Sequence, residues 1–297
     1  MLLFEHEDSP GAPRPEVAEP LNYVRALYHG LERLEGGFPL SSRLFREIHA
    51  ILLAGTRGGN QDPGEFRRSQ NWIGGSLPGN ARFVPPPPQL VPDAMGDLER
   101  FLHDQPTRVP VLIKAALAHA QFETIHPFLD GNGRLGRLLV PLLLCGQERV
   151  LSKPLLYLSL YLKRNRDLYY ERLQRVRTRG EWEEWVAFFL EGVVDVAESA
   201  AETTQRLLAL VDRDRQQIQE LGRAASSATR LHDLVVREVV FRIPQAAATL
   251  HSNDVTIGKA ARNLEALGIV VETTGRTRHK RYVYREYLRI IEEGTEA

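Results

Sequence analysis

A mainly α-helical protein in two parts is what this chain of 297 residues predicts, and three observations predict it. Apolar residues recur at helical intervals through most of residues 21–219. Glycine and proline concentrate in one long stretch, residues 55–92, which interrupts that pattern. Near the C-terminus the period changes from helical to alternating, as short strands require.

The elements follow in order. Residues 1–20 are rich in Pro, Glu and Asp and are expected to lack regular structure. Leu21, Val24, Leu27, Tyr28, Leu31 and Leu34 share one helical face, and Gly36-Gly37 stops that helix. Ser41 or Ser42 caps a second helix carrying Leu44, Phe45, Ile48, Ile51 and Leu52. Residues 55–92 read as a long ordered loop or hairpin. Within it Pro85 to Pro88 must be extended, because proline has no N–H to give a ladder, and Ala81 to Val84 reads as a short strand. Helical spacing resumes at Asp93 to Leu102 and Val109 to Ile125 and breaks at His126-Pro127, where Pro127 is expected to keep His126 extended. It returns at Arg134 to Glu148, with Pro141 a source of a kink, and continues at Arg164 to Arg175, Trp182 to Val196 and Glu198 to Gln219.

Gly222 and the small residues 224–228 mark a boundary. Beyond it, Thr229 to Arg242, Pro244 to Leu250 and Val255 to Leu267 read as three short helices, followed by strands at Ile269 to Glu272 and Arg281 to Tyr284. Three helices and a hairpin make the winged-helix pattern. The expected organisation is an extended segment over 1–20, a catalytic domain with flanking helices over 21–222 and a winged helix over 223–297.

Lys plus Arg equals Asp plus Glu, at 38 each, so the overall charge does not demand a nucleic acid or an anionic membrane as partner. One cysteine, Cys145, excludes an internal disulfide. The apolar run Leu138 to Gly146 is too short to span a bilayer, and the acidic start lacks a secretory signal's basic and apolar regions. A cytoplasmic protein without membrane contact is the expectation.

The chemistry is concentrated in residues 126–137, HPFLDGNGRLGR, which join one apolar helix to the next. Gly131 and Gly133 free the backbone for positive φ, so that successive N–H groups can form an anion nest at the following helix N-terminus. Arg134 and Arg137, three apart, offer guanidinium forks suited to phosphate oxygens. Asp130 at the mouth of that nest suits Mg²⁺, which takes one or two carboxylates together with phosphate oxygens. His126 is placed to accept a proton from an attacking hydroxyl. Asn132-Gly133 and Asp130-Gly131 are also hairpin turns, but helical flanks and the charged residues argue against a purely structural turn.

This stretch resembles, residue for residue, the signature H-x-F-x-D-G-N-G-R-x-x-R of the Fic (filamentation induced by cAMP) family. GEFRRSQNWIGG (64–75), NARFVPPPP (80–88), AHAQFETIHPF (118–128) and LLYLSLYLKRNRDLYYERL (155–173) are similar to a bacterial branch that ends in a winged helix. The resemblance implies a Fic helical core with a short β-hairpin flap, and a protein adenylyltransferase that moves AMP from ATP to a Ser, Thr or Tyr hydroxyl of a target protein. His126 would be the general base and Asp130 would hold Mg²⁺. Gly131, Asn132, Gly133, Arg134, Leu135, Gly136 and Arg137 would bind ATP, and Tyr169-Tyr170 would line the adenine pocket. Asn80, Ala81, Arg82, Phe83 and Val84 match the flap that aligns an extended target segment by strand addition. Where relatives often carry an asparagine, this chain has Arg177, a departure that bears on base contacts. Gly133 favours transfer of AMP, because relatives that phosphorylate carry a larger residue there. Self-modification and a homodimer are compatible with this reading.

An alternative of another class is a nucleotide-sensing transcriptional regulator whose winged helix binds DNA through Lys259, Arg262, Arg276, Arg278 and Lys280. Residues 226–297 hold 11 Lys/Arg against 9 Asp/Glu, a net of only +2, which makes dimer or protein contact at least as good a use for that domain. Fic proteins of this kind usually carry an inhibitory helix, S/T-x-x-x-E-G/N, whose glutamate pairs with the second motif arginine, here Arg137. The sequence contains no match; Leu31 to Gly36 has the Glu-Gly but not the Ser/Thr. In the resembling branch that helix precedes the region matching LLFEHEDSP, so the chain as given is expected to be derepressed and to label itself with AMP.

Overall fold

The computed structural model describes residues 15–56, 58–276 and 280–293. Of these, 15–197 fall in one compact unit and 198–293 in another.

In the first unit, α1 (Pro15–Glu35) is packed against α2 (Ser42–Leu53). Residues 15–20, expected to be irregular, are helical. Proline at a first helical position costs no hydrogen bond and has its φ preset. Asn22 ties α1 to the end of α2 by donating to the Ala54 carbonyl at 2.7 Å. Ser41 caps α2, its hydroxyl accepting from the Leu44 N–H. The glycine- and proline-rich stretch follows, then α3 (Val91–Leu102) and α4 (Val111–Ile125).

The core of this unit is organised around α4, which buries residues on every side. Two of its buried polar groups are paired. Lys114 Nζ lies 2.5 Å from both Asp104 and Glu148, and Trp185 donates to the Ala116 carbonyl at 2.8 Å. A helix fixed all round delivers the residue after its last turn, His126, to a defined place. Next come α5 (Asn132–Pro141), α6 (Leu158–Arg164), α7 (Arg166–Arg179) and α8 (Trp182–Gln219). After Pro141 the chain passes into a π-helical turn, Leu142–Gln147, a register change that accommodates the proline's missing donor.

The break expected between Val196 and Glu198 does not occur, and α8 runs 38 residues without a glycine or proline after Gly192. The division between the units falls at residues 197/198 rather than near residue 222, because Leu210 and Ile218 of α8 belong to the second core.

The second unit continues with α9 (Ala225–Glu238), β1 (Val240–Arg242), α10 (Ile243–Thr249), α11 (Asp254–Ala266), β2 (Val271–Glu272), β3 (Arg281–Val283) and α12 (Arg285–Glu293). The strands form an antiparallel sheet in the order β1-β3-β2, with Val240 and Val271 both opposite Val283. β1 corrects the helix expected to reach Arg242. Val239 at φ 60° ends α9, and Phe241 stacks on Tyr282 at 5.3 Å across the sheet. Asp214, fully buried, accepts from the Tyr284 hydroxyl at 2.5 Å and pairs with Arg213. Among the described residues no helix is long and apolar enough to cross a membrane.

Candidate functional site

The loop from His126 to Gly131 is held from several directions. His126 caps α4 in the left-handed conformation, φ 50° and ψ 60°, its N–H bonded to the Phe122 carbonyl at 2.9 Å. The extended backbone expected there is corrected: Pro127 disfavours a right-handed His126, and a left-handed residue ends the helix without leaving that N–H unpaired. Asn132, buried, closes the loop on itself, accepting from the Phe128 N–H at 2.9 Å and donating to the Phe128 carbonyl at 2.7 Å. It therefore shapes the loop, where a direct contact to ATP was expected.

Two residues that the sequence reading did not single out anchor the loop from outside. Arg67, 2% exposed, donates through Nε to the His126 carbonyl at 2.9 Å and through Nη2 to the Pro86 carbonyl at 2.5 Å and the Ile125 carbonyl at 3.4 Å. His49, fully buried, stacks on Phe128 with ring centroids 3.8 Å apart. Its Nδ1 accepts from the Gly64 N–H at 2.8 Å, which fixes the tautomer, so Nε2–H donates to the Asp130 carbonyl at 2.9 Å.

Gly131 alone of the two motif glycines takes positive φ, at 80°, and Gly133 lies inside α5. The nest is accordingly one left-handed residue followed by a helix N-terminus. The N–H groups of Asn132, Gly133 and Arg134 form the first turn of α5 and have no acceptor within it, and the helix dipole adds positive potential there. Gly131 N–H itself bonds the Asp130 carboxylate at 2.6 Å. Arg134 lies 3.7 Å from Asp130 and 3.8 Å from Glu19, yet its Nη1 is buried without a hydrogen-bond acceptor, as a guanidinium awaiting an anion would be. The half-exposed carboxylate of Asp130 beside the first-turn N–H groups of α5 and Arg134 fits a Mg²⁺ shared with phosphate oxygens. Leu135 is fully buried, and a Cβ on Gly136 would stand 2.6 Å from a Glu123 carboxylate oxygen, so both serve packing.

Burial, followed by the charge of Arg177, pushes the His126 imidazole down to about 4. It is therefore neutral at physiological pH and holds a lone pair. Its Nδ1 faces the Glu123 carboxylate at 3.8 Å, and burial in turn pushes that carboxyl up against the opposing charges of Arg137 and Arg177. His126 Nδ1 and Glu123 Oε1 are both buried without hydrogen-bond partners.

Beside this loop lies a cleft of about 600 Å³ between Ile73, Arg82 and Phe83 on one wall and Tyr170, Gln174 and Arg177 of α7 on the other. Ile73 and Phe83 form a single antiparallel bridge, less than the strand expected over 81–84. Gly74 and Gly75 turn the chain at positive φ, and the Asn80 side chain closes that turn by accepting from Ser76 and Leu77 N–H. Ala81 is half-buried, while Val84 is 44% exposed. Arg177 joins cleft and loop: its guanidinium lies 3.9 Å over the Phe83 ring and donates to the Glu123 carbonyl at 2.9 Å and to Thr124 Oγ1 at 3.2 Å. Of the tyrosine pair, Tyr170 lines the cleft. Tyr169 does not; it is 6% exposed, and its hydroxyl meets Nε2 of the buried His119 at 3.0 Å. Lys259, Arg262, Arg276 and Lys280 belong to the second unit, and Arg278 lies outside the described residues.

Residues 39–144 match the model of the Fic/DOC family, so the chain carries a Fic/DOC domain. It is 31% identical over 127 residues to a probable protein adenylyltransferase of Aquifex aeolicus, covering 42% of this chain and 38% of that protein. It is 36% identical over 151 residues to the protein adenylyltransferase Fic of Aedes aegypti, covering 49% of this chain and 26% of that protein. The chain thus spans well under half the length of these relatives. Its fold is similar to that of a Fic family protein from Desulfovibrio desulfuricans, with a TM-score of 0.54 at 21% identity, over 95% of this chain and 79% of that one.

Proposed function

We propose that the protein transfers AMP from ATP to a hydroxyl of a protein target. The observation that carries this reading is a half-buried, neutral imidazole, His126, held next to an α-helix N-terminus that carries a half-exposed carboxylate, Asp130, and an arginine, Arg134, with one donor lacking a hydrogen-bond acceptor. Phosphoryl-type chemistry needs such positioning and charge stabilisation more than covalent help. In this scheme the target's hydroxyl oxygen attacks the α-phosphorus of ATP, its proton passes to His126 Nε2, a P–O bond forms and pyrophosphate leaves. His126 Nδ1 faces Glu123, which leaves Nε2 as the accepting nitrogen. The first-turn N–H groups of α5 with Arg134 and Arg137 take up phosphate charge. Mg²⁺ bound with Asp130 would neutralise phosphate charge.

The same reading assigns the finer features. The cleft lined by Tyr170 and Arg177 receives the base. The Ile73–Phe83 segment is the flap, whose short pairing leaves backbone groups to align an extended target peptide. A Ser, Thr or Tyr side chain is the acceptor. The second unit, with its helices and three-stranded sheet, is a winged helix appended to the catalytic domain. A single cysteine suits a reducing, cytoplasmic compartment. The test is incubation of the chain with labelled ATP, Mg²⁺ and a cell lysate, read by gel and by mass spectrometry for AMP on Ser, Thr or Tyr. Incorporation that depends on His126 is expected; none above the His126→Ala control would overturn the reading.

A further inference from the structure

Behind the imidazole of His126, on the side away from Nε2, stands an acid that packing alone does not require. Glu123 belongs to the last turn of α4 and is 6% exposed. Its Oε1 is buried with no hydrogen-bond partner among the described residues. A buried carboxylate oxygen without a donor costs folding free energy, so an acid kept here needs another reason.

The surroundings are shaped to hold it. A Cβ on Gly136 of α5 would stand 2.6 Å from Oε1, so any side chain at 136 would push the carboxylate out of its place. Gly133, one turn earlier, leaves 3.8 Å between Oε1 and its own Cβ position. Burial pushes the Glu123 carboxyl up, and the guanidinium charges of Arg137 and Arg177 oppose that rise. The Glu123 main-chain carbonyl, the other acceptor near the ring, already receives Arg177 Nη2 at 2.9 Å. The carboxylate, with Oε2 3.8 Å from His126 Nδ1, is the acceptor left for that nitrogen. Hydrogen bonds of a catalytic base are often long before substrate binds, and closure by about 1 Å brings this pair to bonding length.

We propose that Glu123 is a positioning residue for the base: its carboxylate accepts the Nδ1–H of His126, keeps the lone pair on Nε2, and balances the imidazolium formed when Nε2 takes the target's proton. The inference rests on the AMP-transfer reading and deepens it. The proton stays on Nε2 until it passes to solvent, and Glu123 neither touches substrate nor takes the proton. A carboxylate behind a histidine fixes the tautomer and stabilises the cation in this way. The need is specific to this site, because burial and then the charges of Arg177 and Arg67 disfavour a charged ring. Asp130, the other acid whose charge reaches the ring, is engaged by the Gly131 N–H at 2.6 Å and faces Arg134. A protonated Glu123 would do the opposite, donating to Nδ1 and placing the ring's proton on Nε2, where it blocks uptake of another.

The experiment is nitrogen NMR of the full chain with isotopically labelled histidine. His126, one of nine histidines, is assigned by the loss of its signals in His126→Ala. The imidazole nitrogen shifts report which nitrogen carries the proton. The parent, Glu123→Gln and Glu123→Leu are also assayed for AMP incorporation into lysate proteins at saturating Mg-ATP, and for ATP affinity by calorimetry. Expected is the Nδ1–H form in the parent and in Glu123→Gln, whose amide oxygen still accepts, and loss of that preference in Glu123→Leu. The maximal rate should fall about tenfold in Glu123→Gln, which keeps the acceptor but not the charge, and about 10²-fold in Glu123→Leu, with ATP affinity within about twofold of the parent. Glutamine matches glutamate in size, so it decides the matter if the leucine variant does not fold. An Nε2–H ring in the parent, an Nδ1–H preference that survives in Glu123→Leu, a parental rate in Glu123→Gln, or a loss of ATP affinity at unchanged maximal rate would each overturn the inference. A parent that shows the expected tautomers but incorporates no AMP would overturn the transfer reading and leave the positioning of His126 by Glu123 standing.

Discussion

Replacing Arg67 by methionine isolates the anchoring of the catalytic loop from its chemistry. The side chain is 2% exposed and its guanidinium holds the carbonyls of His126, Pro86 and Ile125 at 2.9, 2.5 and 3.4 Å. Methionine keeps most of the apolar bulk, so little cavity results, but the carbonyls lose a charged donor. A buried polar group left unpaired costs about 1–3 kcal/mol. Counting the two short bonds fully and the long one weakly gives about 4 kcal/mol, a large share of the 5–15 kcal/mol typical of a domain. In urea unfolding, at a slope of about 2 kcal/mol per molar, the midpoint should fall by about 2 M. AMP incorporation at a temperature where the variant is folded should fall as well, because the released carbonyl is that of His126. Arg67→Lys should rescue neither measurement fully, since one ammonium does not reproduce a planar fork spanning several acceptors. A midpoint within about 0.5 M of the parent, or full activity in the methionine variant, would refute the anchoring role.

His126→Ala should lower AMP incorporation about 10²–10⁴-fold while leaving ATP binding measurable by calorimetry, the share expected of a general base. Asp130→Ala should remove most activity together with its Mg²⁺ dependence; an unchanged Mg²⁺ midpoint would assign the metal to another residue. Acid should destabilise the first unit through His119. Burial pushes its imidazole down from 6.5 to about 4, so the folded state favours the neutral ring. That contribution is complete above about pH 6.5 and is lost as pH falls toward 4, to a total of about 3 kcal/mol. Urea midpoints at several pH values, compared with those of His119→Asn, should show the decline shrinking in the variant.

The motif was legible because its members are contiguous: His126, Asp130, Gly131 and Arg134 act within one turn and one helix start, where spacing alone fixes geometry. The residues that hold this loop were not. His49 reaches Asp130 across 81 positions and Arg67 reaches His126 across 59, and no local period reports such a meeting. A signal existed in each case: a histidine on an apolar helix face, and an arginine inside a glycine- and proline-rich stretch, both need partners once buried. Tyr169 and Tyr170 show the limit of adjacency, since neighbours on a helix point about 100° apart and one entered the core while the other lined the cleft. β1 was hidden because a short apolar run such as Val239-Val240-Phe241 satisfies helix and strand alike, and only pairing with β3 decides it.

The left-handed backbone of His126 places two demands on one position. As a helix terminator the site would prefer glycine, since a side chain held there costs roughly 1–2 kcal/mol. As the proton acceptor of the proposed transfer it requires an imidazole. Each selective pressure therefore opposes the other, and the chain gives up folding free energy at the atom where it gains reactivity. An inactive His126→Gly protein should consequently melt higher than its His126→Ala counterpart, and drift toward glycine at this position would be the thermodynamically downhill course for any lineage released from the need to catalyse.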